Sequence, residues 1–193
     1  MAMVVAIVIP FVLTLIVGKK KLGAAQKEEE AKVAENNEMV IETNGENVFV
    51  SPMKGRFMPL SEVEDQVFSQ GMMGEGFAVE LTDGKVVAPF DGEVIMTFPT
   101  KHAYGLKRAG DGVEILIHIG MDTVQLEGKG FESFVEVGDQ VKAGQTIAKV
   151  DLDYVVENGK SVVSPVVFTG GQHITLKDIK EVNQVDRDIL EIN

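Results

Sequence analysis

From Val48 onward, short apolar runs alternate with turn residues along the chain. Examples are VFVSPMKGRF, GEGFAVEL, KVVAPFDGEVIMTF, GVEILIHIG, ESFVEVGDQVKAGQTIAKV and SVVSPVVF. Short β-type runs separated by Asp-Gly pairs, as at 83–84, 91–92 and 111–112, are typical of strands joined by tight turns. The pattern therefore predicts an all-β fold, an antiparallel sandwich or barrel.

Two stretches depart from this pattern and predict short helices. Ser61 to Ser69 opens with a capping sequence, and Leu152 to Asn158 follows a long β run. In addition, VSPMKG at 50–55 is echoed by VAPFDG at 87–92. The echo predicts two related hairpin units within one β domain.

The N-terminal part of the chain has a different character. Met1 to Val17 carries no charge, contains Pro10 and is followed by lysines at 19–21. As a helix it would be about 25 Å long, a little less than the hydrocarbon core of a bilayer. Basic residues beside an apolar span favour the cytoplasmic side. We therefore expect a membrane-associated helix over 1–18, a charged linker over 19–46, and a β domain over 47–193 at the inner face of the cell membrane.

The net charge and the lack of cysteine argue against several classes of function for this chain. The 193 residues carry a formal net charge of -12, from 30 acidic and 18 basic side chains. A nucleic-acid partner is disfavoured because phosphate binding needs a basic surface, whereas a partner with a basic docking face fits. The chain has no cysteine, which excludes disulfides, thiolate nucleophiles and cysteine zinc sites.

Candidate chemistry rests on three histidines, at 102, 118 and 173. Alternation along VEILIHIGM, residues 113–121, turns His118 to one face of the strand. The opposite face carries Val113, Ile115, Ile117, Ile119 and Met121. Gly120 is expected to leave the ring of His118 uncovered. A neutral imidazole there has a free nitrogen lone pair that can bind a metal, take a proton or attack phosphorus.

His102 and His173 differ in context. His102 lies in FPTKHAYGLK, next to a second β run, so we expect it near His118. His173 lies in GGQHITLKD near the C-terminus and is expected to be an exposed surface residue.

Four motifs taken together resemble a known family. In order, VVAPFDGEV, TKHAYGL, GVEILIHIGMDTVQLEGKGF and VEVGDQVKAGQTI resemble the glucose-type IIA domain of the bacterial phosphoenolpyruvate-dependent sugar phosphotransferase system. The resemblance runs from about Val48 to Phe168. It implies a duplicated β fold. The apolar start also resembles the last membrane helix of a IIC permease, which suggests the C-terminal part of a IIBCA-type protein or a descendant encoded alone.

The resemblance implies roles for three residues. His118 accepts a phosphoryl group on Nε2 from the phosphorylated carrier HPr and passes it to a cysteine of a sugar-specific IIB domain. His102 donates a hydrogen bond to the phosphoryl oxygens, and Thr100 orients the ring of His102. Such transfer needs in-line positioning and charge stabilisation, so neither a metal nor an organic cofactor is expected.

The resemblance also implies a docking surface. Phe68 and Phe98 match an apolar rim around the site, and Asp65 and Asp122 match acidic positions that face basic residues of HPr. Without a cysteine the chain has no IIB acceptor of its own, so transfer to IIB and the IIC permease must be intermolecular. The permease chooses the sugar, so no sugar is predicted.

Three other functions share features with this sequence. A lysostaphin-like zinc peptidase shares the His-x-x-x-Asp spacing of His118 and Asp122 but needs a separate His-x-His, which this chain lacks. A biotinyl or lipoyl carrier would use Lys54 and leave both histidines idle. A regulator that binds other proteins according to its phosphorylation state remains compatible with the sequence.

Overall fold

Thirteen short strands form most of the fold in residues 39–44 and 46–193, the part of the chain that the computed structural model describes. They are β1 (Gly55–Pro59), β2 (Glu75–Leu81), β3 (Lys85–Val87), β4 (Gly92–Thr97), β5 (Ala103–Arg108), β6 (Glu114–His118), β7 (Phe131–Ser133), β8 (Gln140–Val141), β9 (Thr146–Val150), β10 (Val163–Phe168), β11 (Ile174–Leu176), β12 (Glu181–Val182) and β13 (Leu190–Ile192). The prediction of a mostly β fold is confirmed. The helix expected over 1–18 lies outside the described residues.

The named strands pair in antiparallel fashion. The largest sheet has eight strands in the order β12-β1-β2-β10-β6-β5-β4-β8, and β3-β9-β7 and β11-β13 form two smaller sheets. Strand β10 lies in the middle, paired to β2 on one side and to β6 on the other. Strands β5 and β6 are adjacent, so the chain segments that carry the two candidate histidines are neighbours in the sheet.

Two apolar clusters hold the sheets together. The larger one contains Phe77, Phe90, Tyr104 and Phe168, each with no measurable exposure. Val113, Ile115, Ile117 and Ile119 of the β6 segment also lie in it, which confirms their predicted inward face. A smaller cluster contains Met58, Leu60, Val63, Phe68, Ala78 and Val167. It lies beside the candidate site, because Phe68 contacts the ring of His118.

Of the two predicted helices, one is confirmed and the other is interrupted and shorter than predicted. Helix α2 (Leu152–Glu157) matches the prediction, and the side chain of Asp151 caps it by accepting from the backbone N–H of Tyr154. The stretch from Ser61 to Ser69 is instead divided into a 3-10 turn (Leu60–Glu62) and helix α1 (Gln66–Ser69). Asp65 causes the division, because it is extended and caps α1.

The echoed Pro-containing segments contact each other. The N–H of Val50 donates to the carbonyl of Pro89 at 2.9 Å, and the N–H of Val87 donates to the carbonyl of Pro52 at the same distance. The strands that follow are also equivalent, since Gly55 of β1 pairs with Val182 and Gly92 of β4 pairs with Val141. The two segments are thus related by a local two-fold arrangement.

Residues just before the domain pack on its surface. The N–H of Ile41 donates to the carbonyl of Ala143 at 2.9 Å, and the buried hydroxyl of Thr43 donates to Asp91 at 3.0 Å. The carbonyl oxygen of Met39 lies so close to Gly144 that a Cβ on residue 144 would be 2.0 Å from it.

No helix in residues 39–44 and 46–193 is long and apolar enough to cross a bilayer.

The close approach of Met39 can be tested with two glycines. Gly144 and Gly138 both have positive φ, +82° and +96°, but a Cβ at Gly138 would meet nothing within 4 Å. Alanine at either position costs backbone strain of about 1 kcal/mol. We expect Gly144→Ala to lower the free energy of unfolding by at least about 1 kcal/mol more than Gly138→Ala, because it also displaces Met39. Urea unfolding of both variants measures the difference, and equal losses would contradict the packing.

Candidate functional site

His118 is the last residue of β6 and lies where the largest sheet meets the smaller apolar cluster. Its sheet partner is Ala103, the first residue of β5. The ring is partly buried, and the ring of Phe68 lies 5.4 Å away between centroids. The predicted outward orientation away from the larger core is therefore confirmed, and the apolar neighbour restricts the ring on one side.

A backbone carbonyl determines which nitrogen of His118 carries the proton. Nδ1 lies 2.7 Å from the carbonyl oxygen of Gly120. A carbonyl only accepts, so Nδ1 must carry the proton in this contact, and the neutral ring then has its lone pair on Nε2. Gly120 has φ +68°, the left-handed region, and this turn points its carbonyl back at the ring.

The same turn corrects the sequence prediction for Met121. The period-two pattern holds through Ile119, and at Gly120 the chain changes direction. Met121 therefore packs against the smaller cluster and not with Ile115, Ile117 and Ile119 as predicted. Gly120 also does more than leave the ring uncovered, because a Cβ there would lie 2.6 Å from the carbonyl oxygen of Ser161.

His102 comes from a tight turn just before β5. The N–H of Lys101 donates to the carbonyl of Phe98 at 2.8 Å, and Lys101 has φ +57°. His102 is buried, at 4% exposure, and its Nδ1 lies 2.6 Å from the hydroxyl of Thr100. The N–H of Ile119 donates to the carbonyl of His102 at 2.7 Å, which fastens this turn to the end of β6.

The two imidazoles face each other. Their ring centroids are 4.9 Å apart and their planes are inclined by 75°. Burial, followed by the charge that His118 would carry, lowers the pKa of His102 to about 4. Burial also lowers the pKa of His118, against the opposing effects of the Gly120 carbonyl, Asp65 and Asp122. Both rings are therefore neutral near pH 7.

Asp65 and Phe68 act together at the edge of the site. The carboxylate of Asp65 accepts from the N–H groups of Val67 and Phe68 at 2.8 and 3.1 Å, so it caps α1. The cap holds the Phe68 ring against His118. Phe68 is only 6% exposed, so most of its ring supports the site from below instead of forming an open rim.

Phe98 and Asp122 lie on the open side. Phe98 is 39% exposed, and its ring is 5.1 Å from that of His102. Asp122 is exposed, has φ +58° and precedes the 3-10 turn Thr123–Leu126. Four further exposed apolar residues lie in α1, just after it, or in the 3-10 turn after Asp122, and the sequence did not single them out: Val67, Met72, Met73 and Val124. In the sequence, the feature that could have identified them is an apolar side chain in a stretch rich in turn residues.

The third histidine has no part in this arrangement. His173 is an exposed residue, as predicted, and its Nδ1 lies 2.8 Å from the carboxylate of Glu75. Within the described residues, no three His, Asp, Glu or Cys side chains are grouped as metal ligands. The site itself contains one imidazole with a free lone pair on Nε2, a second neutral imidazole beside it, and the hydroxyl of Thr100.

Comparison with known proteins identifies the family. Residues 47–174 match the family described as phosphoenolpyruvate-dependent sugar phosphotransferase system, EIIA 1. The glucose-specific EIIA component of Staphylococcus epidermidis is 43% identical over 145 residues, which cover 74% of this chain and 87% of that protein. The glucose-specific EIICBA component of Staphylococcus saprophyticus is 47% identical over 165 residues, 83% of this chain but only 24% of that larger protein.

A solved structure agrees with these relatives. The glucose permease IIA of Mycoplasma capricolum superposes with a TM-score of 0.70 at 40% identity, and the match covers 78% of this chain and 99% of that one. The chain therefore belongs to the glucose-type EIIA family of the phosphoenolpyruvate-dependent sugar phosphotransferase system, the phosphoryl carriers of sugar uptake.

Proposed function

We propose that His118 accepts a phosphoryl group from phosphorylated HPr and passes it to the cysteine of a separate IIB domain of a sugar permease. The observation that supports this role most directly is the 2.7 Å contact between Nδ1 of His118 and the carbonyl of Gly120. It leaves the lone pair on Nε2, where an incoming phosphorus atom can meet it. Holding the nucleophile in one tautomer and one orientation is the main requirement for in-line transfer.

The transfer step follows from this geometry. Nε2 of His118 forms a bond to phosphorus while the bond between phosphorus and the donor atom of HPr breaks. Nδ1 keeps its proton, so the phosphorylated ring carries positive charge. The Gly120 carbonyl, Asp65 and Asp122 all favour positive charge on this ring. They therefore stabilise the phosphorylated intermediate until a thiolate of the IIB domain attacks the same phosphorus.

His102 supplies a donor for the phosphoryl oxygens. If the hydroxyl of Thr100 donates to Nδ1 across their 2.6 Å contact, Nε2 of His102 carries the proton. The two ring centroids are 4.9 Å apart, so this N–H is close enough to reach a group bound to His118. Because His102 is neutral near pH 7, it donates this bond without placing a second positive charge in the site.

The surroundings provide a docking surface for the basic partner. Phe98 and Val124 are exposed apolar residues on the open side, Asp122 adds a negative charge, and Asp65 also lies close enough to influence His118. An apolar centre with acidic groups at its edge suits a partner that presents a basic face. The chain would then work in trans with HPr and with the IIB and IIC parts of a permease, on the cytoplasmic side of the membrane.

The same surface favours a regulatory role in addition to transfer. A phosphoryl group adds up to about two negative charges at the centre of an apolar surface, so binding of other proteins there would depend on phosphorylation. Pull-down assays with the phosphorylated and unphosphorylated protein distinguish regulation from transfer alone.

The biotinyl or lipoyl carrier hypothesis has less support, because Lys54 directly precedes β1 and is not at the tip of a hairpin.

We expect His118→Gln to abolish the phosphorylated state. Glutamine has no nucleophilic lone pair on nitrogen, so incubation with phosphoenolpyruvate, enzyme I and HPr should leave no acid-labile phosphate by mass spectrometry. His173→Gln is the matched control and should be phosphorylated like the wild type, since His173 contacts Glu75 and not the other two rings. Relay of phosphate from HPr to IIB by His118→Gln would refute the assignment.

We expect His102→Gln to accept phosphate but to pass it on about a hundredfold more slowly, because one donor to the phosphoryl group is displaced. Rapid-quench measurement of each half-reaction separates acceptance from onward transfer. Thr100→Val keeps the His102 ring and should cause a smaller loss of the same kind. An onward rate equal to that of the wild type in His102→Gln would show that the ring does not contact the phosphoryl group.

Acid should weaken the fold through His102. Its pKa is near 4 when folded and near 6.5 when unfolded, so below pH 6.5 the unfolded state binds more protons. This residue therefore lowers the free energy of unfolding by about 3 kcal/mol between pH 7 and pH 4. Urea unfolding across this range should show a smaller loss in His102→Gln than in the wild type. Identical pH dependence of the two proteins would mean that the ring titrates normally.

A further inference from the structure

The turn that holds the His118 tautomer is itself held by two buried hydroxyl groups. Ser164 of β10 has no measurable exposure, and its Oγ accepts from the N–H of Gly120 at 2.9 Å while donating to the carbonyl of Val162 at 3.0 Å. Thr123 is equally buried, and its Oγ1 donates to the carbonyl of Ile119 at 2.7 Å. The peptide group between Ile119 and Gly120 is thus bound at both ends.

The next peptide group is bound as well. The N–H of Met121 donates to the carbonyl of Ser161 at 3.0 Å, on the segment that leads into β10. Both peptide planes on either side of the Gly120 Cα are therefore fixed. The orientation of the Gly120 carbonyl, and with it the proton position on His118, follows from these bonds.

We propose that Ser164 and Thr123 are positioning residues for His118, which keep the Gly120 carbonyl on Nδ1 and so keep the lone pair on Nε2. The effect of these residues on phosphoryl transfer rests on the proposed function, whereas their effect on the proton position concerns the unphosphorylated ring alone. Without the hydroxyl of Ser164, the N–H of Gly120 loses its buried acceptor, and the turn can rotate to satisfy it elsewhere. Nδ1 then loses its partner, and the proton is shared between the two ring nitrogens.

Three variants test this proposal in the full chain. Ser164→Ala removes the acceptor for Gly120, and Thr123→Val removes the second hydroxyl while keeping the side-chain shape. Ser51→Ala is the matched control, because Ser51 is also fully buried and its hydroxyl also donates to a backbone carbonyl, that of Met53 at 2.7 Å, within the Pro-containing segment. All three lose a buried hydroxyl, so a general loss of stability affects them alike.

Nitrogen-15 chemical shifts of the His118 ring near neutral pH report the proton position, and rapid-quench transfer from phosphorylated HPr reports the rate. We expect the wild type and Ser51→Ala to have the proton on Nδ1. Ser164→Ala and Thr123→Val should show a larger fraction of the other tautomer and a transfer rate roughly tenfold lower.

Other results would contradict the positioning roles. The proposal is overturned if Ser164→Ala and Thr123→Val match Ser51→Ala in tautomer, or if their rates fall while the tautomer is unchanged. If Ser164→Ala does not fold, Thr123→Val decides by the same two measurements. If the wild type accepts no phosphate from HPr, the proposed function fails, whereas the ring shifts of the unphosphorylated variants still decide the positioning roles.

Discussion

The hydrogen-bonded ladder between β5 and β6 is the constraint on which the site depends. It runs from Lys107 and Glu114 to Ala103 and His118, and the bond between the N–H of Ile119 and the carbonyl of His102 extends it by one step. Because each ladder position fixes the height of a residue along the sheet, the two imidazoles have to meet at its end. The larger apolar cluster anchors the ladder from below through Ile115, Ile117 and Ile119. The pairing of the rings is therefore a result of sheet register, with the side chains adding the final orientation.

Desolvation and hydrogen bonding have opposite effects on the pKa of His118 at this end of the sheet. Burial removes the positive charge from both rings, and the neutral state is the one that has a nucleophilic nitrogen. The Gly120 carbonyl, Asp65 and Asp122 act in the other direction on His118. Such a ring is neutral near pH 7, yet its surroundings tolerate positive charge on it. The same balance suits a carrier, which must both accept a phosphoryl group and release it.

The sequence predicted the features that depend on local pattern. Alternation placed Ile115, Ile117 and Ile119 inward and His118 outward, and the departure from the β pattern after Val150 predicted α2. The sequence did not predict the break before α1, because an aspartate can either cap a helix or lie inside its first turn. Only the position of Phe68 against His118 selects the capping role for Asp65. The left-handed turn at Gly120 was missed for a similar reason. Ser164 lies 44 residues from Gly120 in sequence, and no local pattern reports a contact at that separation.

The central place of β10 in the largest sheet has a consequence for how the domain is made. The β5–β6 hairpin is local and can form early during synthesis, so both histidines can be near each other before the chain is complete. Strand β10 is inserted between β2 and β6 only after residue 168 has been made, and it carries Ser164. A nascent or partly unfolded chain thus has both imidazoles but lacks the strand that orders the turn beside them. The ordered turn beside the two rings is in this way reserved for the finished domain.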